Sequence, residues 1–158
     1  MELQGSQPGR RFAVVVSRFN EEITEGLLRG ARAAFAEAGV ATGDLTIVRV
    51  PGAFEIPLAA RRLAKSGRFD AVVCLGCLIK GDTMHFEYIA SAVSHGIMAV
   101  SADTGVPVTF GVLTTMTDEQ AAARAADGAD NKGHEAAMAA VEMATLGRQF
   151  GEGSGHDG

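Results

Sequence analysis

Short apolar runs recur in this chain between stretches of helical periodicity, and that alternation limits the folds open to it. Phe69-Asp-Ala-Val-Val-Cys-Leu75, bounded by Gly67 and Gly76, has strand composition without polar alternation, as expected of a strand covered on both faces. Phe12–Ser17, Leu45–Val50 and Val108–Leu113 read as its companions, with Ala71–Leu75 as the third strand in order. Between them, helices are expected from Glu21 to Ala38, from Ala53 to about Ser66, from Thr83 to about Ala102, from Thr117 to near Gly128, and from Lys132 to Leu146. Ile23, Leu27, Leu28, Ala31 and Phe35 form the apolar stripe of the first. Gly39 and Gly67 are natural helix stops. Pro57 falls in a first turn, where its missing N–H does little harm. Thr117 with Gln120 makes a capping box. Ile97–Ser101 fits a strand after Gly96 as well as a continued helix; the unbroken three-to-four spacing favours the helix.

Strands alternating with helices imply right-handed crossovers and an α/β fold, a three-layer α/β/α sandwich around a four-stranded parallel sheet. The loops after the strands would then gather on one edge: Arg18-Phe19-Asn20, Pro51–Glu55, Gly76–His85 and Thr114-Thr115. Open α/β sheets bind ligands at that edge.

Composition narrows the class further. The 158 residues are 47% hydrophobic and 21% charged, which fits one globular domain, expected over residues 11–150. Residues 1–10 read as a flexible arm without an apolar signal core, and the Gly-rich 151–158 as a disordered tail. A formal charge of −5 without a basic cluster argues against a nucleic-acid partner. No apolar run approaches the ~20 residues of a membrane span, so a cytoplasmic enzyme or binding domain is expected. Cys74 and Cys77 lack the second pair that a structural zinc requires. They read as packing and backbone positions.

The stretch from Cys74 to Tyr88 carries the chemistry. A strand running through Lys80-Gly81-Asp82-Thr83 into a helix start presents free N–H groups and a positive dipole end, which suit an anion such as phosphate. His85 stands on the first turn of that helix, a titratable group beside the anion site. The absence of a G-x-x-x-x-G-K-[ST] pattern rules out a Walker loop. On local pattern alone, Phe19, Phe54 and Phe110 also fit core aromatics, and Arg124 fits a solvated helix face.

Arg18-Phe-Asn20, Val50–Pro57, Leu75–Tyr88, Pro107–Thr115 with Glu119-Gln-Ala121, and Asn131-Lys-Gly133 resemble the 6,7-dimethyl-8-ribityllumazine synthase family. The likeness runs in order from about Arg11 to Phe150, in a flavodoxin-like arrangement. It implies condensation of 5-amino-6-(D-ribitylamino)uracil with 3,4-dihydroxy-2-butanone 4-phosphate, the penultimate step of riboflavin synthesis, without cofactor or metal. By position, Phe19 would stack on the pyrimidine, Ala53-Phe54-Glu55 would hold the ribityl chain, and Cys77-Leu78-Ile79 would line the pyrimidine slot, partly through main-chain groups. Asp82 and Thr83 would bind the phosphate, Arg124 would clamp it, Phe110 would close over the other ring face, and His85 would shuttle protons. The resemblance further implies a homo-oligomer, a pentamer or a 60-subunit icosahedral shell of pentamers, in which Phe110 and Arg124 reach a neighbour's pocket. Two other readings compete: a catalytically silent flavin-binding or cage-forming relative, and a signalling domain. The second would need a phospho-acceptor Asp at a strand end, which neither Asp44 nor Asp103 supplies.

Overall fold

The computed structural model describes residues 9–81 and 84–153. Strands β1 (Phe12–Ser17), β2 (Leu45–Val50), β3 (Ala71–Ile79) and β4 (Val108–Thr115) form one parallel sheet in the order β2-β1-β3-β4. Helices α1 (Glu21–Glu37), α2 (Ile56–Lys65), α3 (His85–Thr104), α4 (Asp118–Ala125) and α5 (Lys132–Gly153) cover it. The expected α/β/α sandwich is the observed one.

Alternation within the strands sorts the core into two halves. Phe12, Val14, Val16, Val73, Leu75 and Cys77 pack with α1, α4 and α5. Ala13, Val15, Val72 and Cys74 pack with α2 and α3. Because both faces are covered, β1 is buried along its whole length, the pattern expected of a central parallel strand.

The helix signals act locally as expected. Gly39 and Gly67 adopt positive φ of 82° and 76° just past α1 and α2, a left-handed conformation that glycine adopts without steric cost. Thr117 accepts the Gln120 N–H through its side chain. The Gln120 side chain answers at Met116, one residue before the cap. Helix α3 runs unbroken through Gly96, as its periodicity predicts. A Cβ at Gly96 would stand 2.9 Å from Pro57 Cγ, so the missing side chain lets α3 close on α2.

Several boundaries differ from expectation. β3 continues four residues past Leu75, through Gly76, and pairs with β4 as far as Ile79↔Thr115. Gly76 breaks nothing: it lies in the ladder opposite Val112, and its bare Cα makes room for Ile56 and Ser17. Ala53–Glu55 forms a separate 3₁₀ turn ahead of α2. α4 ends at Ala125, before the predicted Gly128. α5 runs to Gly153, taking in the first three residues of the expected tail, while 154–158 lie outside the described residues.

Candidate active site

The chain leaves β1 toward β2 on one side, while β3 leads to β4 on the other. Strand order therefore reverses between β1 and β3, and a crevice opens at their carboxyl ends. A cavity of about 480 Å³ lies there, lined by the turn after β1, the segment after β2, the end of β3 and the first turns of α3. That volume is in the range of small-molecule sites.

Seven of the twelve residues singled out from sequence meet in this cavity: Phe19, Ala53, Phe54, Glu55, Leu78, Ile79 and His85. Pro51, Gly52, Gly81, Phe86 and Ile89 complete it. Phe19 is 64% exposed and Phe54 62% exposed. Neither is a core aromatic; both lend ring surface to the cavity. Ala53 is buried at the base of the 3₁₀ turn.

Main-chain geometry holds the walls in place. Arg18 N–H donates to the Val50 carbonyl at 2.8 Å, and Phe19 N–H to the Pro51 carbonyl at 3.1 Å. The turn after β1 is thereby sewn to the end of β2. Glu55 Oε1 accepts the Gly52 N–H at 2.9 Å, closing the 3₁₀ turn on itself. His85 is the first residue of α3 and is exposed toward the cavity mouth. Lys80, just past β3, pairs with Glu87 in the first turn of α3 at 3.6 Å.

The remaining predicted residues fall elsewhere. The Cys77 side chain is absent from the cavity. With β3 extended, period-two alternation turns it into the core beneath α1 and α5, where it is buried. Burial pushes its thiol up to about 11, helped by the charge of Asp118, and that of Cys74 to about 12. Both are therefore inert thiols at neutral pH. Asp82 and Thr83 lie outside the described residues.

Phe110 and Arg124 line a second cavity, of about 300 Å³, along β4 with the end of α4 and the start of α5. Phe110 is 47% exposed there, again too open for a core aromatic. Lys132 and Glu135 share this cavity and pair at 2.9 Å. By position in the family both also fit a place near the pocket, although either fits surface charge equally well from sequence alone. Lys132 lies in the Asn131-Lys-Gly133 motif and Glu135 two residues beyond it, which was the available signal.

Residues 9–148 match the 6,7-dimethyl-8-ribityllumazine synthase family. The chain belongs to that family. It is similar to the 6,7-dimethyl-8-ribityllumazine synthase of Syntrophus aciditrophicus, 55% identical over 142 residues, covering 90% of this chain and 92% of that protein. The synthase of Salinibacter ruber is 54% identical over 138 residues, 87% of this chain and 88% of the relative. That of Desulfatibacillum aliphaticivorans is 50% identical over 145 residues, 92% and 94%. Family membership spans every element that builds the two cavities.

Proposed function

We propose that this chain condenses 5-amino-6-(D-ribitylamino)uracil with 3,4-dihydroxy-2-butanone 4-phosphate. The products are 6,7-dimethyl-8-ribityllumazine, phosphate and water, the penultimate step of riboflavin biosynthesis. The observation that carries the reading is the convergence of Phe19, Phe54, Glu55, Leu78, Ile79 and His85 on one cavity at the switch point of the sheet, in a chain of this family.

The roles follow from chemistry. The Phe19 face offers a stacking surface for the pyrimidine in the cavity it shares with Phe54, Leu78 and Ile79. Glu55 has a second carboxylate oxygen beyond the one that holds Gly52, suited to accept ribityl hydroxyls. The start of α3 directs its positive dipole end at the cavity mouth, where a phosphate would be favoured with Asp82 and Thr83. Amine and ketone first join as an imine with loss of water. Phosphate then leaves, and ring closure expels a second water. Each step moves a proton, and His85 is the imidazole within the cavity that can give and take it. Holding two substrates together in one crevice can itself supply ~7–11 kcal/mol of the acceleration in favourable cases.

The second cavity supports a shared site. Phe110, Arg124, Lys132 and Glu135 form an aromatic and charged surface separate from the His85 cavity. In a ring of identical subunits, a head-to-tail contact would bring one copy's Arg124 to the next copy's His85. Pentamers, free or assembled into an icosahedral shell, satisfy that arrangement.

Mixing both substrates with pure protein and following lumazine fluorescence tests the activity; product no faster than the uncatalysed background would reject it. Reassembling His85→Ala with Arg124→Ala subunits in equal amounts tests the sharing. Random mixing rebuilds about a quarter of the sites with both groups intact if each site spans two copies, and none if it does not. Native mass distinguishes a pentamer from a shell.

A further inference from the structure

We infer that Asn20 is a positioning residue that sets the stance of the Phe19 ring over the cavity by tying the turn after β1 to the end of β3. The inference rests on the proposed use of that cavity for the pyrimidine substrate.

Asn20 is the one non-glycine residue with positive φ among the described residues, at φ 61° and ψ 49°. It occupies the N-cap position of α1, where an asparagine ordinarily accepts an N–H from the first turn. Its side chain makes no such bond. The first turn is served instead by its backbone carbonyl, which accepts from Ile23 and Thr24 at 3.0 Å each. The amide is thus released for another task. Its Nδ2 donates to the Cys77 carbonyl at 3.0 Å, across 57 residues of chain. With a carbonyl as partner, only the nitrogen end of the amide can face it.

The location of that bond gives it meaning. Backbone pairing between β1 and β3 ends at Val16↔Leu75. The Cys77 carbonyl lies past the last rung, and the Asn20 side chain prolongs the ladder by one bond where no strand residue remains. On the opposite flank, Arg18 and Phe19 are fastened through their N–H groups to Val50 and Pro51. The turn is therefore held from both neighbouring strands, with the exposed Phe19 ring between the two attachments and Leu78–Ile79 directly after the second. Removing the Asn20 amide leaves the ring hung from β2 alone. Its distance from the β3 floor would then be free to vary, and a flat ring bound between them would lose its fit. A left-handed backbone suits this job, since it turns the side chain back toward the sheet and asparagine tolerates it.

Asn20→Gly keeps the left-handed backbone without strain and removes the tie. Asn20→Asp keeps size and backbone tolerance but cannot donate to a carbonyl. Both are expected to raise KM for the ribitylaminouracil roughly tenfold, with a smaller change in kcat. KM for the butanone phosphate should stay within about twofold of wild type. In a Phe19→Ala background the same changes should add nothing further, because Asn20 acts through the ring. Dissociation constants for 6,7-dimethyl-8-ribityllumazine, read by its fluorescence, should show the same ratios without turnover. A lowered thermal midpoint with unchanged KM and unchanged lumazine affinity would overturn the inference, as would effects that add fully to those of Phe19→Ala. Wild-type turnover tests the enzyme reading and the wild-type-to-variant binding ratio tests Asn20, so either can fail while the other stands.

Discussion

Asn131 donates its side-chain amide to the Gly26 carbonyl at 3.0 Å, joining the start of α5 to the middle of α1 across 105 residues. The same amide reaches the Ala125 and Ala126 carbonyls, and its oxygen accepts the Gly133 and His134 N–H groups at 2.8 and 3.0 Å. A Cβ on Gly30 would collide with this amide, so the cluster needs glycine opposite it. Asn131 is 1% exposed. Asn131→Ala removes a helix cap and strands several buried polar groups, and should cost about 2–4 kcal/mol. Urea unfolding with an unchanged slope and a lowered midpoint would verify it. Gly30→Ala should fail similarly through the steric clash.

Ser17 offers the opposite sign. Its Oγ is the buried side-chain oxygen without a hydrogen-bond partner among the described residues, and the side chain is packed near Ile56 and Gly76. A buried hydroxyl with no partner carries its desolvation cost uncompensated. Ser17→Ala should therefore raise stability by about 1 kcal/mol. Thermal unfolding measures this, and a fall in the midpoint would contradict it.

The two thiols predict a decline in stability on the alkaline side. Burial lifts Cys74 to about 12 and Cys77 to about 11, from an ordinary value of 9.0. Between about pH 9 and these values the unfolded chain releases protons that the folded chain retains. The folded state then binds more protons, so the unfolding free energy falls as pH rises, by up to about 1.4 kcal/mol per unit for each thiol. Below pH 9 both states are protonated and these groups contribute no slope. Cys74→Ala with Cys77→Ala should flatten that region in denaturant titrations at pH 9 to 11. The native protein should also resist alkylation by iodoacetamide at pH 8.

Glu55 separates a scaffold bond from a ligand bond. Gln at this position still presents an oxygen to the Gly52 N–H, now held at 2.9 Å, but loses the charge offered to ribityl hydroxyls. Glu55→Gln should raise KM for the ribityl substrate modestly, and Glu55→Ala by at least roughly tenfold more. Steady-state kinetics on both variants decide it. Equal effects would place the whole loss in the charge offered to the ribityl chain and none in the turn.

Much of the architecture was legible because each strand is short, apolar and followed by a helix with its own stop signal. Phe12–Ser17 and Leu45–Val50 stand where composition put them. The edge that gathers the loops follows from the direction of the crossovers. What escaped was local and had a physical cause. Gly76 looks like a strand end in isolation, yet β4 pairs past it and Ser17 and Ile56 use the space its missing side chain leaves. That longer strand is why Cys77 turned inward while Leu78 faces the cavity. The Asn20 tie has no signature in periodicity, because it depends on a backbone conformation and a partner 57 residues away.

The strand order also bears on how the chain is made. β1 is made well before its partner β3: their register joins Phe12 to Ala71, about sixty residues later in synthesis. Until that segment emerges, only β2 can shield it, and one flank of a strand that ends fully buried is bare. A nascent chain arrested before Ala71 would display an unpaired edge prone to sticking to other chains. The same central placement that buries β1 so completely in the finished protein leaves one of its edges open until β3 has been made.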